Sequence, residues 1–204
     1  MLFRSGGDCL CVQADLASAA DRERIIGETL RHYDGIDILV NNAAWARFGA
    51  GYAQSPERVQ LAYAVNLFAP HHLAQLAVLT MKARGGGWIL NLSSATSTRP
   101  GPAPYDAKER AYRFHTTHSP TLYGSTKAAL ERLSTGMAME LAADNIAENT
   151  LAPVEAVASE GALVSGSIDD LAHMEPVEAM AEAALALRSE EHTSELQSLT
   201  NLVC

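Results

Sequence analysis

Two rhythms alternate along this chain. Residues 9–13 (Cys-Leu-Cys-Val-Gln) form a short apolar run of strand length. From Ser18 onward the apolar positions shift to helical spacing, with Ile25, Ile26, Leu30 and Tyr33 on one stripe. Ser18 is a good N-cap with Asp21 three residues on, and Gly35 marks the end. Residues 36–40 are a second strand-length run. Ser55-Pro56 then opens a long helix to about Arg84, carrying Val59, Leu61, Val65, Leu67, Leu73, Leu76 and Leu79. After the glycine turn 85–87, residues 88–92 predict a third strand. A helix follows from Thr121 to about Ala143, with Leu130, Leu133, Met137 and Leu141 facing the core, then a strand over 146–151 and a last helix over 177–187. Near-continuous apolar strands alternating with amphipathic helices predict an α/β fold, a parallel sheet covered on both faces. Ligands of such sheets bind at the carboxyl ends of the strands, where Asp15, Asn41-Asn42 and Ser93-Ser94 fall.

Some positions break the pattern. Asn66 lies inside the second helix, and Pro70, four residues later, has no N–H to return to its carbonyl, which predicts a kink and a freed acceptor. Residues 95–120 are Pro-rich and aromatic and read as one long loop, the kind that serves as a lid or binding loop. His115 and His118 within it are weak metal evidence, and no metal site is expected. Glu148 has no evident functional reason to occupy an apolar strand; a sequence error or an edge position would explain it. Residues 154–174 are polar and read as a mobile or lid-like stretch.

Composition narrows the function. The net charge of −9, with no basic run, argues against nucleic acid and anionic membranes. No apolar stretch reaches membrane-spanning length and there is no signal-peptide pattern. Cys9, Cys11 and Cys204 make no disulfide framework, so a reducing cytoplasm is expected. Both ends depart from the pattern: residues 188–198 and 1–5 each resemble an in-frame translation of a sequencing adapter, in opposite orientations. The native segment is therefore expected to be one partial domain over 6–187, with 1–5 and 188–204 non-native.

The candidate chemistry centres on Tyr123 and Lys127. At this spacing a phenol and an ammonium lie on one helical face, and a fixed cation lowers a phenol's pKa. Alone, such a pair is more often a solvated helix face. Its company is more specific: Asp15-Leu16 after a strand, Asn41-Asn42-Ala43-Ala44, Val65-Asn66-Leu67, Asn91-Leu92-Ser93-Ser94, Tyr123-x-x-x-Lys127 and Asn149-x-x-Ala152-Pro153, in that order. Together these resemble the short-chain dehydrogenase/reductase family.

The resemblance implies a Rossmann-type doubly wound sheet, here without its first two strands and its last. It implies an NAD(P)-dependent oxidoreductase that interconverts an alcohol and a carbonyl, with NAD or NADP as cofactor and a small-molecule substrate. Tyr123 would be the general acid/base, Lys127 would lower its pKa and bind the nicotinamide ribose, and Ser94 would polarise the substrate carbonyl. The Asn66 carbonyl would hold a water. Asp15 and Leu16 would lie by the adenine, Asn42, Ala43 and Ala44 by the adenosine ribose, and Pro153 at the cofactor. A homo-oligomer, dimer or tetramer, packed through the Ser55 and Tyr123 helices, is also implied. The alternative is a non-catalytic dinucleotide-binding or regulatory protein on the same fold. The family's Gly-rich phosphate turn would precede Gly6, Val154 stands where Gly is usual, and the spacing from Ser94 to Tyr123 is long. In the family's strand order the run at Cys9 would be orphaned or pair non-natively, and the strand at Ile36 would have an open edge.

Overall fold

The computed structural model describes residues 7–159, 174–187 and 202–203. The sheet is parallel, in the order β1 (Ile38–Asn41), β2 (Gly87–Leu92), β3 (Ile146–Ala152), β4 (Leu202–Val203). Its register pairs Asn41 with Asn91 and Asn91 with Thr150, so the polar strand ends are brought level. The two-residue β4 lies beside Leu151 and Ala152.

Helix α1 (Ala19–Tyr33) begins at Ser18, whose hydroxyl accepts from the Asp21 N–H, and ends at Asp34 in the left-handed conformation. The long helix expected from Ser55 is three pieces: α2 (Pro56–Tyr63), a π turn (Ala64–Phe68) and α3 (Ala69–Arg84). The kink predicted from Pro70 is this π turn. Pro70 cannot donate to Asn66, and the ladder widens so that the Ala69 N–H reaches the Ala64 carbonyl. Gly85, at φ 85°, closes α3 with the paired N–H bonds of a Schellman ending.

Two expectations are corrected. Residues 9–13 form no strand. They have no sheet neighbour, the orphaned state anticipated, and lie along α1, the Leu10 N–H donating to the Tyr33 hydroxyl at 2.8 Å. The loop 95–120 contains a 3₁₀ turn (Ala95–Ser97) and a helix, α4 (Arg110–His118). Helix α5 (Thr121–Leu141) leads through a 3₁₀ turn and left-handed Asn145 into β3. Helix α6 (Val177–Ala186) follows Pro176. Of the expected polar stretch 154–174, residues 160–173 lie outside the described residues.

The core has two parts. Ile26, Leu73, Ala77, Met81, Ile89, Leu141 and Ile146 pack on the sheet face that α3 and α5 cover, with α1 outside α3. Leu90, Leu151 and Leu187 pack on the opposite face, under α6. Helices on both faces leave the strand ends as the open surface for a ligand. Among the described residues no helix is long and apolar enough to cross a membrane.

Candidate active site

Strand β2 ends at Leu92 and hands the chain to Ser93 and Ser94. Ser94 is extended, and its Oγ caps the 3₁₀ turn, accepting from the Thr96 N–H at 3.2 Å and from Thr96 Oγ1 at 2.9 Å. The first turns of α5 pack directly on this turn. A Cβ at Gly124 would lie 2.3 Å from the Thr96 carbonyl oxygen, so only glycine lets the helix come this close. The close approach sets Tyr123 beside Ser94.

Lys127 is 2% exposed, and its Nζ donates to the Leu92 carbonyl at 2.5 Å. The ammonium stands over the Tyr123 ring, 5.7 Å from its centroid. Burial pushes the Tyr123 phenol up to about 12, against a hydrogen bond with Ser94 that works the other way. Burial likewise pushes Lys127 down to about 8, with the Glu131 carboxylate pushing it back up. In this arrangement desolvation sets the direction for both groups, and the ammonium is hydrogen-bonded to the strand's carbonyl.

Asn66 is fully buried. Its Oδ1 accepts from the Trp45 N–H at 2.7 Å, and its Nδ2 donates to the Trp45 carbonyl at 2.8 Å and to Thr126 Oγ1 at 3.0 Å. The side chain thus joins the loop after β1, the π turn and the helix carrying Tyr123 and Lys127. Sequence reasoning assigned a role to its carbonyl; the structure adds this work by its amide.

The structure therefore brings Ser94, Tyr123, Lys127 and Asn66 together. Asn42, Ala43 and Ala44 are exposed just beyond β1, and Pro153 is half-buried just beyond β3. Asp15 and Leu16 are hydrogen-bonded elsewhere. Asp15 Oδ1 accepts from the Ala17 N–H at 2.9 Å, and the Leu16 carbonyl accepts from buried Arg22, which also donates to His72. That segment is tied to α1 and α3 instead.

Several residues were missed. Below the site, Asn41 Nδ2 donates to Asn91 Oδ1, and Asn91 Nδ2 donates to Ser134 Oγ and Glu148 Oε1, all within 2.8–2.9 Å. Glu148 is thus a member of a buried polar layer between the sheet and α5, at a point where β3 pairs with β2 alone among the described residues, since β4 reaches only Leu151 and Ala152. The signal was a second polar residue, Asn91, in an apolar strand. Phe48 leans on Tyr123, at 5.9 Å between ring centroids, and Phe114 of α4 on Phe48 at 6.5 Å. His118 packs on the Phe114 ring.

The molecule is thus an α/β protein with a parallel sheet and with Ser, Tyr and Lys converging at its strand ends, and its relatives give the family. A family model described as enoyl-(acyl carrier protein) reductase matches residues 2–196. The human dehydrogenase/reductase SDR family member 4 is 35% identical over 141 residues, 68% of this chain and 44% of the human protein. A 3alpha-hydroxysteroid dehydrogenase of Mediterraneibacter gnavus is 32% identical over 138 residues, 68% of this chain and 49% of that protein. Among solved structures, a gluconate 5-dehydrogenase of Burkholderia cenocepacia in complex with NADP and tartrate superposes at TM-score 0.73 and 26% identity, covering 93% of this chain and 71% of that one. This chain belongs to the short-chain dehydrogenase/reductase family. It spans about half the length of the curated relatives it matches.

Proposed function

We propose that the protein interconverts an alcohol and a carbonyl using NAD or NADP, with Tyr123 as the proton donor and acceptor. The observation that carries this is the convergence of Ser94, Tyr123 and buried Lys127 at the end of β2. The residues present fit the nicotinamide end of a dinucleotide. The Lys127 ammonium has three N–H donors and gives one to the Leu92 carbonyl, so it can also bond ribose hydroxyls. Exposed Asn42 and the small Ala43 and Ala44 let a flat group approach the backbone. NADP in the Burkholderia structure is in keeping with this. The bound dinucleotide supplies the hydride acceptor or donor.

The chain's own residues do the rest. With its pKa pushed to about 12, the Tyr123 phenol is protonated at neutral pH and can donate to an oxygen on which negative charge develops. Ser94, which stands beside it, can turn its single O–H from the phenol to the same oxygen. The aromatic side chains of Phe48 and Phe114 wall Tyr123 against water. Exposed Leu61, Phe68, Leu79 and Met139 along α2, the π turn, α3 and α5 support packing between subunits through these helices.

The test is Tyr123→Phe in a protein that extends this segment to its relatives' length, assayed by nicotinamide absorbance with a panel of ketones and aldehydes. Turnover is expected to fall by about 10²–10⁴-fold. Unchanged turnover would mean that Tyr123 is not the acid/base.

A further inference from the structure

One turn beyond Lys127 on α5 stands Glu131. Its Oε1 accepts from Ser93 Oγ at 2.5 Å and from Ser97 Oγ at 2.6 Å. These two serines bracket Ser94: one directly follows β2, the other closes the 3₁₀ turn. A single carboxylate oxygen therefore holds both sides of the segment that presents Ser94. It does so from the helix that carries Tyr123 and Lys127 at the two preceding turns, since residues 123, 127 and 131 share one face. We infer that Glu131 is a positioning residue of this site: its carboxylate fastens the Ser94 turn to α5 and sets a negative charge one helical turn from Lys127.

The inference deepens the proposed hydride-transfer reading and rests on it for its catalytic meaning, though not for its test. Among the described residues, the titratable neighbours of Lys127 are few. Its own helix supplies Tyr123 and Glu131. The π turn and β2 supply none. Helix α2 brings Tyr63, whose hydroxyl donates to Ser125 Oγ at 3.3 Å, and β3 brings Glu148, held by Asn91. Glu131 is the carboxylate that offsets the burial of Lys127. An amide at position 131 keeps an acceptor for both serines and removes the charge, so the two roles separate.

The chain has three lysines, Lys82, Lys108 and Lys127, so carbon-13 labelling at lysine Cε gives three signals to follow against pH. In the wild-type 204-residue chain the Lys127 signal is expected to titrate near 8. In Glu131→Gln it titrates about one pH unit lower, with the other two unmoved and the circular-dichroism melt unchanged. The backbone amide signals of Ser94 and Thr96 keep their positions in Glu131→Gln and move in Glu131→Ala. Should Glu131→Ala not fold, the pair Ser93→Ala and Ser97→Ala gives the same displacement. An unshifted Lys127 titration in Glu131→Gln overturns the electrostatic role. Unmoved Ser94 and Thr96 amides when the carboxylate or both serines are removed overturn the fastening. Neither readout needs turnover, so failure here leaves the Tyr123→Phe test standing, and the reverse.

Discussion

The distance between Ser94 and Tyr123 depends on an absent methyl group. Gly124 faces the Thr96 carbonyl oxygen at a separation that no Cβ tolerates, and the atom it would strike belongs to the backbone. Gly124→Ala is expected to cost about 1–3 kcal/mol, as overpacking of a closed interface does, and to part Ser94 from Tyr123. Urea unfolding checks the first effect through a lower midpoint at unchanged slope. A midpoint equal to wild type would show that the turn and helix are not packed as described. At this scale the sequence displayed the candidate groups but not their surroundings. Ser94, Tyr123 and Lys127 were legible through their place in an ordered set of family-like motifs, since the Tyr123–Lys127 spacing alone favoured a solvated helix face. Glu131 was not, because its partners Ser93 and Ser97 are 38 and 34 residues away in sequence and only packing reveals them. The protonation of Tyr123 was not legible either. Spacing suggested an ammonium lowering a phenol, but burial of both groups decides the direction.

Among the elements, the strands of the sheet and the helices followed from apolar periodicity and caps, and a kink, which the structure makes as a π turn, from the single fact that Pro70 lacks an N–H. Helix α4 was hidden by the prolines before it and by a polar, aromatic composition without a clear core stripe. The buried layer of Asn41, Asn91, Ser134 and Glu148 joins β1, β2, β3 and α5 just beneath the strand ends. Glu148 is 6% exposed, and one carboxyl oxygen has no partner in the structure. Burial raises its pKa from the ordinary 4.5 to about 7, against the hydrogen bonds of Ser134 and Asn91. The folded chain therefore binds this proton more tightly than the unfolded chain. Its contribution to stability is fully present below about pH 4.5 and is lost as the pH rises to about 7, for a total on the order of 3 kcal/mol. Glu148→Gln keeps the hydrogen bonds and removes the ionisation. The difference in unfolding free energy between the variant and wild type should grow in the variant's favour from pH 4.5 to 7 and level off above. A difference that stays flat across that window would place the Glu148 carboxyl in contact with water.

For the whole molecule the decisive feature is the side of β1 away from β2. Strand β1 has one hydrogen-bonded neighbour among the described residues, and residues 9–13, which the sequence pattern offered as a strand, lie along α1 instead. An apolar run cannot be a strand without an adjacent edge in register, so periodicity alone overestimated the sheet here. Ile38 and Val40 are 40% and 51% exposed on the face that α6 covers only in part. They line an apolar groove of about 420 Å³ with Trp88, Leu90, Ala184 and Leu185. Exposed parallel-strand edges with apolar side chains pair with other chains. The 204-residue chain is therefore expected to self-associate as its concentration rises, despite its net charge of −9. Val40→Lys puts an ammonium in the groove and on the edge strand, a substitution that opposes edge-to-edge pairing while leaving the Leu39 side, packed against the core, untouched. Sedimentation velocity over a concentration series should show the variant shifted toward monomer, with an unchanged circular-dichroism spectrum. Association of Val40→Lys at wild-type strength would exclude this edge as the contact and assign it to the exposed side chains of α2, α3 and α5.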